Sequence, residues 1–128
     1  MAMTFLASQA FGQWEPIPWI SKEIRSKGVT LGGEGAQMVR AIAIDAMDGN
    51  FVLFGTDVGG LFRSLDGGIN WEPCNVGYFP RGTSGMAIDP HNPRRVLSIG
   101  ANSAAYAQHG VWLSTDQAAS WRNVLPLN

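Results

Sequence analysis

One cysteine in 128 residues, Cys74, excludes an intramolecular disulfide framework, and two well-separated histidines, His91 and His109, offer no zinc-ligand spacing. Nothing else in the chain points to a metal or a cofactor. Charge is sparse as well: charged residues make up 15%, and 9 Lys+Arg against 10 Asp+Glu leave a net charge of −1. A nucleic-acid binder would show a basic face; Arg94-Arg95, the one adjacent basic pair, follows a proline turn and is too short to attract a polyanion. No apolar run approaches the roughly 18 residues of a membrane span, so neither nucleic acid nor membrane is an expected partner. Met1 to Phe11 has no Lys or Arg and so lacks the positive start of a secretory signal. Sustained helical periodicity is missing throughout. What is plentiful is turn chemistry and apolar surface: 16 Gly, 7 Pro and 45% hydrophobic residues, too apolar for a disordered tail.

The chain repeats itself. Ser64-Leu65-Asp66-Gly67-Gly68-Ile69-Asn70-Trp71 is echoed by Ser114-Thr115-Asp116-Gln117-Ala118-Ala119-Ser120-Trp121, each position displaced by 50 (64 to 114, 66 to 116, 71 to 121). Upstream, Ile42-Ala43-Ile44-Asp45 matches Met86-Ala87-Ile88-Asp89, and Val52-Leu53 matches Val96-Leu97, displaced by 44 (42 to 86, 52 to 96). The six-residue difference (50 − 44) places an insertion between Leu97 and Ser114. Tandem repeats of about 45–50 residues have the length of a propeller blade.

Strand signals recur within each repeat. In the first they cover Met38 to Asp45, Asn50 to Gly55, Gly60 to Ser64 and Asn70 to Val76, with Asp66-Gly67-Gly68 as a hairpin turn. In the second they cover Gly85 to Asp89, Arg95 to Gly100, Val111 to Ser114 and Ser120 to Leu125. The expected fold is therefore all-β: two four-stranded antiparallel propeller blades, strands lettered A to D from the inside outward. Residues 1–13 read as an N-terminal remnant, poorly ordered; 14–36 as a leading strand and loop; 37–79 as the first blade; 80–128 as the second. Closed propellers need about 4–8 blades. Two blades imply either a piece of a longer chain, which the remaining blades would complete, or self-assembly of several copies.

The S-x-D-x-G-x-x-W pattern resembles the Asp-box of sialidase-like and related β-propellers. Ser64, Asp66, Gly68 and Trp71 match it, with Asn70 where Thr is usual; Ser114, Asp116 and Trp121 match with Ala118 in the Gly position, a degenerate copy. The pattern suits a C–D turn: the Asp accepts turn amides, the Gly takes positive φ, and the Trp is buried beside the sheet. Both Asp residues read as structural staples, and both Trp as equivalent and buried. Catalytic or calcium-binding roles are the weaker reading.

The opposite end of each blade carries the B–C loops, Thr56-Asp57-Val58-Gly59-Gly60 and Ala101 to Gly110. Propellers bind ligands on such loops, held by rigid sheets. The inserted loop brings Asn102, Ser103, Tyr106, Gln108 and His109; Asn102 and Tyr106 are the candidates to bind a sugar, by amide hydrogen bonds and ring stacking. A solvated variable loop would account for it equally. Asp57, between an apolar strand and a Gly pair, reads from its surroundings as a turn cap.

A further resemblance gives Asp57 another role. Leu31-Gly32-Gly33-Glu34-Gly35, an alternating strand, then Gly55-Thr56-Asp57-Val58-Gly59-Gly60-Leu61-Phe62-Arg63-Ser64, is similar to the start of glycoside hydrolase family 74, xyloglucan-cleaving enzymes built of two seven-bladed propellers. The resemblance spans about Trp14 to Leu125, its specific part Leu31 to Trp71. It implies that Asp57 is the general base of an inverting hydrolysis of a polysaccharide or oligosaccharide, in an extracellular or periplasmic protein. Gly55 stands where the family has Arg, Glu34 interrupts the Gly run, and the family's partner acid lies in a second propeller that this chain does not contain. An inverting pair needs carboxyls about 6.5–9.5 Å apart, so the chain alone is expected to be inactive. The alternative is a non-catalytic Asp-box module that binds a glycan or a protein.

Overall fold

A computed structural model describes residues 18, 20–28, 38–103 and 105–126. The remnant 1–13, more than half of the leading strand and loop expected over 14–36, and the Leu31 to Gly35 run lie outside the described residues.

Two four-stranded antiparallel sheets account for the rest, consistent with propeller blades. The first has strands β1 (Val39–Ile44), β2 (Val52–Thr56), β3 (Leu61–Ser64) and β4 (Glu72–Pro73), paired in that order. The second has β5 (Gly82–Ile88), β6 (Val96–Ala101), β7 (Gly110–Ser114) and β8 (Arg122–Pro126), again in chain order. A short helix, α1 (Lys22–Ser26), capped by the Ser21 hydroxyl, precedes β1, and a single 3-10 turn (Tyr106–Gln108) sits before β7. Neither has the periodic apolar stripe that marks a helix in sequence; α1 buries no residue at all.

The repeat extends to irregularities that sequence comparison does not show. Pairing of β1 with β2 shifts between Val39 and Ala41, and pairing of β5 with β6 shifts between Thr83 and Gly85, the same displacement of 44 (39 to 83, 41 to 85). The turns after β1 and β5 match too. Asp45 N–H donates to Phe51 O at 2.8 Å and Asp89 N–H to Arg95 O at 3.0 Å, while the Asp45 and Asp89 carboxylates accept from Met47 and His91 N–H, both at 2.9 Å.

The core lies between the sheets. Along β2 and β3, Leu53, Gly55 and Leu61 point at the second sheet, which answers with Met86, Ile88, Val96 and Trp112. Leu53 and Leu61 are fully buried. Buried at this seam, Tyr78 Oη lies 3.0 Å from Ser98 Oγ, which is 3.0 Å from Thr83 Oγ1; the Thr83 hydroxyl donates on to the Ile99 carbonyl at 2.9 Å. Each hydroxyl is paired, so the polar groups cost little to bury. A Cβ at Gly55 would overlap the Thr83 methyl group, so no side chain fits where the resembled family has Arg.

Candidate functional site

The two ends of the sheets are built differently. At one end, the β3–β4 and β7–β8 turns each place two successive residues at positive φ: Gly67 (70°) and Gly68 (92°), Gln117 (58°) and Ala118 (62°). In both, the Ser hydroxyl donates to the Asp Oδ1 at 2.8 Å and accepts from the N–H of residue 68 or 118, at 2.8 and 2.9 Å. Asp66 accepts both the Asn70 N–H (2.8 Å) and Asn70 Nδ2 (2.7 Å); Asp116 accepts the Ser120 N–H (2.9 Å) and its hydroxyl (2.6 Å). Asn70, in the place of the usual Thr, therefore makes the same pair of bonds that Ser120 makes. The Asn70 backbone and side chain, then the Ser64 hydroxyl, hold the Asp66 carboxyl down to about 2. Burial works against Asp116, yet its bonds to Ser120 and Ser114 still hold it low. With their lone pairs committed to the turn, these carboxylates suit stapling rather than chemistry.

The tryptophans of these turns differ, against the expectation that both are buried alike. Trp121 is 6% exposed and its Nε1 donates to Cys74 O of the first sheet at 2.8 Å. Trp71 is only half-buried, and its Nε1 turns back to Gly68 O at 2.9 Å. Its neighbours are Phe54, at 4.9 Å between rings, and the Ser21 N–H, which donates to Trp71 O. No sheet among the described residues stands before the first, so Trp71 lacks the wall that the first sheet gives Trp121.

Asp57 lies at the other end, in the β2–β3 loop. Its Oδ1 accepts the Val58 N–H at 2.9 Å and the Met38 N–H at 3.2 Å, and its own N–H donates to Met38 O at 3.0 Å. Among the described residues nothing bonds to Oδ2. Asn102, exposed and at positive φ (58°), donates Nδ2 to the Asp57 carbonyl at 3.0 Å. Arg81, in the link between the sheets, donates its N–H to Ser103 Oγ at 3.2 Å and accepts Gly60 N–H at 2.9 Å. Gly82 is the close-approach point that permits this: a Cβ there would overlap the Asp57 carbonyl. Asp57, Arg81, Asn102 and Ser103 thus form one connected edge across both sheets.

Of the inserted loop, Gln108 and His109 serve the loop itself. Gln108 O accepts the Trp112 indole at 3.0 Å, and His109 Nε2 lies 3.2 Å from Ser103 N and 3.1 Å from Ser103 O. Tyr106 falls in the 3-10 turn, and its side chain lies outside what is described. Sequence reasoning missed Arg81, which sits in the linker between two repeats and belongs to no motif.

Every other Asp or Glu among the described residues lies elsewhere: in the four turns of the opposite end, on α1, or, for Glu72, paired with Arg63 at 2.7 Å. No group of three metal-ligating side chains occurs among them, and none of the described helices is long and apolar enough to cross a membrane. Burial pushes the Cys74 thiol up, far from any nucleophilic range. A hollow of about 600 Å³ lies away from Asp57, between α1 and the β3–β4 turn, lined by Lys22, Lys27, Arg63, Asp66 and Trp71 among others. It has no carboxylate free of turn or ion-pair duty, which leaves the Asp57 edge as the better candidate.

No family model matches the chain. Over 78 residues it is 33% identical to the vacuolar protein sorting/targeting protein 10 of Neosartorya fischeri, a match covering 59% of this chain and 5% of that protein. Among solved structures it is similar to the GH74 enzyme of Niastella koreensis, with a TM-score of 0.48 and 18% identity over 70% of this chain and 16% of that one. The chain thus spans a small fraction of either.

Proposed function

We propose that this chain supplies one wall of a carbohydrate-binding cleft in a β-propeller glycoside hydrolase of the xyloglucan-cleaving type, with Asp57 as general base. The observation that carries this reading is the state of the Asp57 carboxylate: one oxygen is pinned by two backbone N–H groups and the other has no partner among the described residues. A base must be held in place yet keep lone pairs for the water it activates, and this arrangement does both. Asn102, with its amide oxygen to spare, stands ready to orient hydroxyl groups of a sugar chain beside it. The proton donor comes from outside the described residues, since an inverting pair needs a second carboxyl about 6.5–9.5 Å away. Such an enzyme works on polysaccharide outside the cytoplasm, as a secreted or periplasmic protein.

Titrating a xyloglucan oligosaccharide into the chain, followed by amide resonances, should move Asp57, Arg81, Asn102 and Ser103 together. In a polypeptide that also carries the proton donor, Asp57→Asn should lower turnover by about 10²–10⁴ with an unchanged melting temperature. Normal turnover by that variant would sink the assignment.

A non-catalytic module that binds a glycan or a protein is the second reading. It is favoured by the likeness to a protein named for sorting and targeting and by the solitary carboxylate. Binding at the Asp57 edge with no hydrolysis in any longer polypeptide is the result that would select it.

A further inference from the structure

The link from Tyr78 to Arg81 runs between the sheets at the same end as Asp57. Its backbone is tied down there: Arg81 O accepts the Gly60 N–H at 2.9 Å, Arg81 N–H donates to Ser103 Oγ at 3.2 Å, and Gly82 abuts the Asp57 carbonyl. Within the link, Tyr78 is buried and its hydroxyl donates to Gly82 O at 3.1 Å. Pro80 is buried too, over the spot where Gly100 leaves no room for a side chain. Phe79, between these two anchors, is turned out and is 67% exposed. Its ring stands against Trp112, with 5.9 Å between centroids and 75° between planes. That indole is itself held by Gln108 O of the inserted loop at 3.0 Å. The other large apolar side chains described as exposed are Met, Val, Ile or Leu, with no flat face to offer.

We infer that Phe79 is a stacking platform for a sugar ring, so that a glycan bound at the Asp57 edge extends across the seam onto it. A pyranose has an apolar C–H face and a rim of hydroxyls. A flat aromatic ring meets the face, while a few placed polar groups take the rim. This end of the sheets supplies both, the ring from Phe79 and the polar groups from Asn102 and Ser103. Phe79 is two residues from Arg81, which puts their Cα atoms within about 7 Å of each other. Preorganisation favours the same use: a ring set between two buried neighbours gives up little freedom when a ligand lands on it. Phe79 belongs to no strand, so it does not lie on a sheet face that a neighbouring sheet would cover. With most of its surface in water, it adds little to the core that Tyr78 and Trp112 already fill. The inference rests on the glycan-binding reading of the Asp57 edge and gives that edge a second anchor and a direction.

Proton NMR and calorimetric titration of the chain with a xyloglucan oligosaccharide test this. Sugar C–H protons resting on Phe79 should move upfield in its ring current. Phe79→Leu keeps the apolar bulk and removes the flat face. It should abolish that shift and weaken binding about tenfold, with the melting temperature little changed. Phe79→Trp should restore both the affinity and the shift. A Phe79→Leu chain that binds as tightly as the parent, while the Asp57, Asn102 and Ser103 amides still move, overturns the platform and leaves the Asp57 edge standing. Failure of the parent chain to bind at millimolar sugar overturns the platform as well. The general-base assignment falls on a different result, normal turnover by Asp57→Asn.

Discussion

Two copies of one eight-residue pattern make the same turn and bury their tryptophans to different degrees. Ser64 to Trp71 and Ser114 to Trp121 agree bond for bond around their Asp residues. Trp121 then reaches across to Cys74, and Trp71 folds back on its own turn. The turn is a local object, specified within seven residues. The depth at which its tryptophan is buried is set by whatever stands in front of the sheet. A motif can be intact while the packing it was expected to bring is only half present.

That contrast is open to direct attack. Trp121→Ala should cost about 3–5 kcal/mol in urea unfolding, as for a large aromatic removed from a core, and Trp71→Ala less, about 2–3 kcal/mol; equal losses would mean that the neighbouring sheet contributes nothing. Acid comes next. The Asp66 carboxyl sits at about 2 when folded against an ordinary 3.8, so the unfolded chain binds the proton first. Its contribution is complete above roughly pH 4 and drains away as pH falls toward 2. Asp66→Asn should flatten the fall in melting temperature across that window, and a melting profile unchanged by the substitution would deny the staple. The smallest effect concerns the turn backbone. Gln117 holds a left-handed φ of 58° that Gly67 holds at 70° without strain. Gln117→Gly should therefore stabilise by about 1 kcal/mol, seen as a rise of a few degrees in melting temperature.

The strand plan was open to reading because its signals are short-range. The alternation over Met38 to Asp45 and the Asp66-Gly67-Gly68 turn each need only neighbouring residues to be decoded. Boundaries suffered where pairing, not sequence, decides: the closing strand expected over Asn70 to Val76 shrinks to Glu72–Pro73, since Asn75 turns its side chain to bond Leu61 and Val76 gives its carbonyl to Trp121. In the other direction β5 begins at Gly82, three residues before the Gly85 expected, because Thr83 and Gly82 pair with Gly100 and Ala101 of the longer β6. At the Asp57 edge the Asp and the inserted loop stand out in sequence by motif and by repeat arithmetic. The joining of Arg81 and Asn102 to that edge does not, because it arises from two loops 45 residues apart meeting across the seam.

The bond from the Trp121 indole to Cys74 and the one from its N–H to Val76 tie the last hairpin of the second sheet to the margin of the first. The dependence runs both ways, since Leu53 and Leu61 of the first sheet share one core with Val96 and Trp112 of the second. Neither sheet keeps its interior without the other, so the pair is expected to melt as one cooperative unit, in a single transition rather than two.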